Sequence, residues 1–281
     1  MKKFIYFLMT AAFTGMFSIS YGAIKITPTI LELDTTGVKG NYLTSSFSVQ
    51  GGENETIRFK VYPEYFKISQ AGTMDILEQT EAQDSLIKNA RFVPNEFTLQ
   101  NGNIQKVRLT IADVNSLPDG ESRMVLFLED VAAKELFLPS GSKNVQTKLI
   151  VKTRVGIPVY VDKGHFVKCA KIEQFDIQQS DKDINLALKI LSEGNSKVRC
   201  SGKAQIIRNK KLIGEYPIKN TVAGAKSFLI TNEQIPLNDI KENGDYTLRL
   251  ILNYNDEKGR LKNIIKESKF SINREEGVNV I

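Results

Sequence analysis

His165, Cys169 and Cys200 carry the most reactive side-chain types in the chain, being its one histidine and its two cysteines. A structural zinc site needs about four thiolate or imidazole ligands at close spacing. One histidine and no C-x-x-C do not supply them. No Ser or Cys nucleophile motif stands near His165, which reads as a surface or hinge residue. G-x-S-x-G, H-E-x-x-H and phosphate-binding glycine loops do not occur. Asp181-Lys182-Asp183 and Asn253-Tyr254-Asn255-Asp256 lack the ligand spacing of a calcium loop and read as turns. The chain is therefore read as a non-enzyme without metal or cofactor. Cys169 and Cys200 enclose 30 residues. A disulfide there would stabilise by roughly 3–4 kcal/mol in the chain-entropy model; two separate buried thiols are the alternative.

Recognition has a clearer candidate. Val145, Thr147, Leu149 and Val151 recur at every second residue, which places them on one face of a strand. Gln146, Lys148 and Lys152 take the other face, with Ile150 an exception. Such a ladder either fills its own domain's core or is offered to a partner. Alternation alone fits both readings.

The elements that must position this ladder read as strands. Ile24 and Ile26 alternate up to Pro28, and Ile30-Leu31 shifts the phase. A strand broken this way can pass from one sheet to another. Leu43 to Val49 and Ile57 to Phe66 follow, then a polar stretch with a short helix around Asp84 to Asn89. Pro94 breaks the next run. Phe97 and Leu99 precede a turn at Asn101-Gly102-Asn103. Ile104, Val107, Leu109 and Ile111 form a strand whose Gln105-Lys106 interruption suggests a bulged start. After the turn at Leu117-Pro118-Asp119-Gly120, Met124 to Leu128 reads as a buried strand. Ala132 to Asn144 reads as a loop, whose Leu136-Phe137-Leu138 run is a contact candidate. One long strand from Val145 to about Val161 closes the domain. Beyond a hinge at Gly164, further short strands with polar turns predict a second sandwich.

The stretch from Arg91 to Asp130 resembles the N-terminal domain of the periplasmic pilus chaperones, the PapD-like family. The resemblance rests on Phe92-Val93-Pro94, Gly102, Gln105-Lys106-Val107-Arg108-Leu109 and Leu117-Pro118-Asp119-Gly120-Glu121-Ser122. It spans roughly Ala23 to Tyr160 and fades in the C-terminal half. The last turn is one residue shorter than the family's usual form, and Gly120 stands where an arginine is usual.

The resemblance implies an all-β fold of two Ig-like sandwiches in tandem, residues 23–161 and 165–273, after a signal peptide. It implies a chaperone for pilus or fimbria subunits, with an outer-membrane usher as a further partner. Val145, Thr147, Leu149 and Val151 would then be lent to an incomplete subunit by strand addition. The family holds the subunit's terminal carboxylate with an Arg on the first strand and a Lys on the last. Ile30 and Gly156 stand at those places here. Arg154, two residues from Gly156 and on the same face, is the substitute candidate; Lys152 and Lys25 are weaker ones. Glu121 matches an acidic residue that supports the interdomain geometry. Tyr160 replaces its arginine partner, which reduces Glu121 to a solvated turn residue. The alternative function is an exported structural or adhesive two-domain protein without chaperone activity.

Composition agrees with export and globularity. Met1-Lys2-Lys3, an apolar run from Phe4 to Ile19, and small residues at Ser20 and Gly22 read as a secretory signal peptide cut before Ala23, hence a periplasmic location. An uncleaved anchor is disfavoured because Thr10, Thr14 and Gly15 interrupt a short run. Apolar content of 41% suits folded sandwiches rather than disorder. Residues 23–160 carry 15 Lys+Arg against 16 Asp+Glu, whereas 161–281 carry 21 against 16. The basic excess lies on alternate strand positions and in turns such as Asn209-Lys210-Lys211, without interleaved aromatics. Nucleic acid is therefore not an expected partner, and neither is stable membrane insertion.

Overall fold

The computed structural model describes residues 24–53, 55–77, 85–132, 134–139, 146–179, 183–236, 240, 242–273 and 277–280. The expected signal peptide and Val145 therefore lie outside the described residues.

In chain order the first half contains β1 (Lys25–Thr27), β2 (Leu31–Asp34), β3 (Tyr42–Gln50), β4 (Thr56–Ile68), β5 (Met74–Leu77), α1 (Ser85–Asn89), β6 (Ala90–Val93), β7 (Glu96–Gln100), β8 (Ile104–Ala112), β9 (Gly120–Asp130), β10 (Lys134–Pro139), β11 (Gln146–Val151) and β12 (Arg154–Lys163). The second half contains β13 (Ala170–Gln179), β14 (Asp183–Ser192), β15 (Val198–Arg208), β16 (Lys211–Ala223), β17 (Ser227–Pro236), β18 (Gly244–Asn255), β19 (Leu261–Asn273) and β20 (Gly277–Val280).

The first sandwich packs the sheet β1-β3-β8-β6 on the sheet β2-β12-β9-β4-β5, with β7 paired to β4. Two prolines mark the passages between these sheets. Pro28 separates β1 from β2, and Pro94 separates β6 from β7. Alternate residues of both sheets, including Phe47, Val49, Phe59, Leu109, Ile111 and Leu126, make one buried core. The second sandwich packs β13-β14-β17 on β16-β15-β18-β19-β20 around its own core, with Ile184, Leu186, Ile206, Leu250 and Phe270. The turn between β15 and β16 is made by Asn209 and Lys210, both at positive φ (49° and 64°), which suits a tight hairpin.

Four expectations need correction. The strand β8 has no bulged start: it runs in continuous register with β3 from Gln50↔Ile104 to Tyr42↔Ala112. Ile104 therefore falls on the outer face, 65% exposed. The stretch expected as a loop contains β10, and the expected closing strand is interrupted at Lys152-Thr153. Asp130 N–H donates to the Thr153 carbonyl across that interruption (2.9 Å). The disulfide is not formed. Cys200 is a free thiol in the second core, where burial pushes its pKa up to about 11. Cys169 is a free, half-buried thiol beside the carboxylate of Glu193.

Candidate functional site

β10 and β11 form a two-stranded antiparallel ribbon in which Leu136 faces Leu149 and Glu135 faces Ile150. The ribbon continues the β9–β12 pair past the interruption. Among the described residues β11 pairs with no strand but β10. β12 is likewise bare on its β2 side from Arg154 to Pro158, because the parallel pairing with β2 covers only Val159 to Asp162. One flank of the chain between Gln146 and Pro158 is thus an unpaired edge, the geometry that invites an added strand.

The predicted ladder is not part of the described core. Leu149 is 44% exposed and Ile150 58% exposed, and Val151 is half-buried. Neither Leu149 nor Val151 belongs to a core cluster of buried residues. Thr147 lies in β11 opposite Leu138.

The root of the ribbon carries charge. Tyr62 Oη donates to Glu129 Oε2 (2.6 Å). Lys152 Nζ lies 3.7 Å from Glu129 Oε1, and Arg154 Nη1 lies 3.7 Å from Glu64 Oε1. The Arg154 guanidinium also stacks 4.3 Å over the Phe127 ring. The Tyr62 hydrogen bond, with help from Lys152 and Arg154, holds Glu129 below the usual carboxylate range. Both candidate anchor cations thus already face carboxylates of the same chain. Lys25 lies in the edge strand of the other sheet, opposite Gln50.

Between this root and the second domain the sheet is filled with apolar groups. Phe66, Val125, Phe127 and Tyr160 are buried there, with Ile30, Tyr62, Ile68 and Met74 packed against them. Gly156 is what lets the strands close up: a Cβ on it would lie 2.9 Å from Val125 Cγ2 and 3.1 Å from Phe127 Cε1. Ile30 and Gly156 therefore belong to an apolar layer. The apolar run of β9 was the available signal, because a strand apolar on both faces must be covered on both.

At the far end of the same layer lies a buried charged junction. The Glu121 side chain is 0% exposed and that of Lys197 is 3% exposed. The expected solvated turn residue is thus enclosed. Lys197 N–H donates to Glu121 Oε2 (2.9 Å), and Lys197 Nζ stands 3.4 Å from the same oxygen. Arg123 Nε is 3.2 Å from Glu121 Oε1, an ion pair without hydrogen-bond alignment. Lys197 Nζ also sits 3.7 Å over the Tyr160 ring. Burial, and then the Glu121 charge, push the Tyr160 pKa up to about 12. Glu32 meets Lys197 at 3.3 Å and Arg199 at 2.9 Å. Burial would raise its pKa, but the two cations outweigh burial and hold it low. Asp162 accepts from Ser196 Oγ (2.7 Å) and pairs with Lys168 (2.8 Å).

The loop from Glu193 to Lys197 organises this junction. It grips the linker through Glu193 N to the Cys169 carbonyl (3.0 Å), Val167 N to Asn195 Oδ1 (2.7 Å) and Asn195 Nδ2 to the His165 carbonyl (3.0 Å). It grips the first domain through Glu121 N to the Asn195 carbonyl (3.0 Å). His165 itself is exposed and serves through its backbone. Gly164 turns the chain at φ +64°. A second bridge joins the turn between β4 and β5 to β17, where Ile230 N donates to the Gln70 carbonyl (2.7 Å). Lys197, Arg123, Glu32 and Arg199 were missed in the sequence because no local spacing links them.

No helix among the described residues is long and apolar enough to cross a membrane. No protein-family model matches the chain, and no curated protein matches it. Solved structures similar to it include the class 5 fimbriae chaperone CfaA, at 13% identity and TM-score 0.46, covering 87% of this chain and 98% of that one. The YadV chaperone is similar at 12% identity and TM-score 0.44, covering 89% and 99%. The Salmonella enterica SafA pilin in complex with the SafB chaperone is similar at 10% identity and TM-score 0.40, covering 87% and 96%.

Proposed function

We propose that this protein is a periplasmic chaperone of surface-fibre subunits that lends β11 to an incomplete partner domain. The observation that carries the reading is the open flank of β11, a six-residue strand that among the described residues pairs on one side only and bears the exposed Leu149. A partner lacking one strand has unpaired backbone groups and an open apolar groove. β11 can supply both needs at once. Each backbone hydrogen bond contributes about 1 kcal/mol net, and burying a Leu or Val side chain about 1.5–3 kcal/mol. The apolar side chains therefore decide which partner is held. The resemblance of Arg91 to Asp130 to the pilus chaperones supports the same reading and is the basis for naming an usher as a second partner.

Carboxylate capture at Ile30 and Gly156 has no chemical support. Arg154 is the substitute candidate, stacked on Phe127, and a partner's terminal carboxylate would have to compete with Glu64 for it. This apolar filling favours a second reading, an exported structural or adhesive protein that keeps the fold without the chaperone role.

Purification from the native periplasm separates the two. The wild-type chain should co-purify with a distinct polypeptide, and L149D/V151D should lose it while melting cooperatively. A wild-type monomer free of captured polypeptide, or capture that persists in the double variant, would sink the strand-lending proposal.

A further inference from the structure

We propose that the outward face of the β1-β3-β8-β6 sheet is a peripheral membrane-binding surface that takes the phosphate headgroups of an anionic bilayer. The proposal is independent of strand lending, which uses the other sheet.

Register fixes the composition of this face. Ser46 lies beside Arg108 and Arg108 beside Val93; Ser48 lies beside Lys106; Thr44 lies beside Thr110 and Thr110 beside Arg91. Lys25 lies on the same face, opposite Gln50. Four cations thus point outward, and no outward residue of these strands is acidic. Lys25, Lys106 and Arg108 have no acidic partner among the described residues, and Arg91 reaches only the backbone carbonyls of Lys88 and Ala90. Several cations elsewhere in the first sandwich are matched, as in Arg58–Glu96, Arg123–Glu121 and Lys163–Asp119.

The hydroxyls of Thr44, Ser46 and Thr110 line a depression of about 660 Å³ with Lys106 and Arg108 on it. Hydroxyl donors beside ammonium and guanidinium groups suit phosphate oxygens. The apolar side chains decide between a protein and a bilayer. Val93, Ile104 and Tyr42, 68%, 65% and 64% exposed, all stand on this face. They are separated rather than contiguous: Tyr42 and Ile104 lie at opposite ends of the β3–β8 pair, and Val93 lies on the edge strand. A protein interface buries a contiguous apolar centre. Scattered apolar and aromatic tips among unopposed cations match a bilayer interface, where the tips enter the headgroup layer and the cations meet anionic lipid.

The test is co-sedimentation of the full chain with equimolar phosphatidylglycerol–phosphatidylcholine vesicles and with pure phosphatidylcholine vesicles. The chain should bind the first and not the second. Each Lys or Arg near an anionic leaflet is worth about a five-fold gain in partitioning, so K106E/R108E should weaken binding at least about 25-fold. The pair K210E/K211E, in an exposed turn of the other domain, makes the same charge change and should leave binding within about two-fold. Y42S/I104S should weaken binding most at high salt. Absence of vesicle binding, or equal loss in the two charge pairs, overturns the proposal. So does binding of polyglutamate but not vesicles to the wild-type face, which would mark a surface for acidic polypeptides.

Discussion

Glu121 and Glu129 stand on the same strand and the same face, eight positions apart on β9, about 27 Å at the rise of an extended chain. One is enclosed and the other is not. Glu121 takes a backbone N–H, an ammonium and a guanidinium in a junction where the second domain covers it. Glu129 takes a tyrosine hydroxyl and a distant lysine at a partly solvated root. Similar charges therefore do different work. The junction fixes the angle between two bodies because leaving any member unpaired is costly. The root leaves its ribbon free because solvent can replace each contact.

This contrast can be broken at either end. The largest effect is expected at the junction. Lys197→Met keeps the volume but removes one of the two buried cations facing Glu121, leaving Arg123 and the backbone N–H, and urea unfolding should show a loss of about 1.5–3 kcal/mol. A loss below about 1 kcal/mol would mean that the junction is as replaceable as the root. Gly164→Ala comes next. Its φ of +64° and the approach of a Cβ to Asp119 Oδ1 (2.2 Å) both oppose a side chain, and left-handed strain alone costs about 1–2 kcal/mol.

A pH titration sharpens the same point. Tyr160 in the folded protein binds its proton up to about 12, above its ordinary value near 10. The folded state therefore holds more protons than the unfolded state between these values, and stability falls as pH rises through that window. Tyr160→Phe should remove that part of the slope, while Cys200, raised to about 11, retains its own. The smallest effect is expected at the root. Glu129→Gln should leave the unfolding midpoint within error, while amides on the open flank of β11 exchange with solvent far faster than those of β9.

Much of the fold was legible because its cues are local. Pro28 and Pro94 marked real sheet passages, and Asn101-Gly102-Asn103 and Asn209-Lys210 marked real turns. Ser85–Asn89 is the short helix expected there. The strand β16 was missed because Gly214 and Pro217 interrupt its apolar positions, and the partner β15 defines it instead. The interruption at Lys152-Thr153 left no trace, since the β-favouring run Val145 to Val161 reads equally well as one strand. The charged junction was illegible for a different reason. Lys197 meets Glu121 across 76 positions of chain, and only the packing of two domains brings them together. The bulge expected at Gln105-Lys106 does not occur, because period two is ambiguous where a strand begins; register with Gln50 resolves it.

The clasp at Glu193–Lys197 has a hydrodynamic consequence. A six-residue linker between two sandwiches would ordinarily let each half tumble separately. Here Gly194 lies so close to Val167 that a Cβ on it would come 1.9 Å from the Val167 carbonyl oxygen, and the linker is bound along its length by that loop. The two halves should reorient in solution with a single rotational correlation time, so that a force applied to the ribbon is transmitted to the far sandwich as torque.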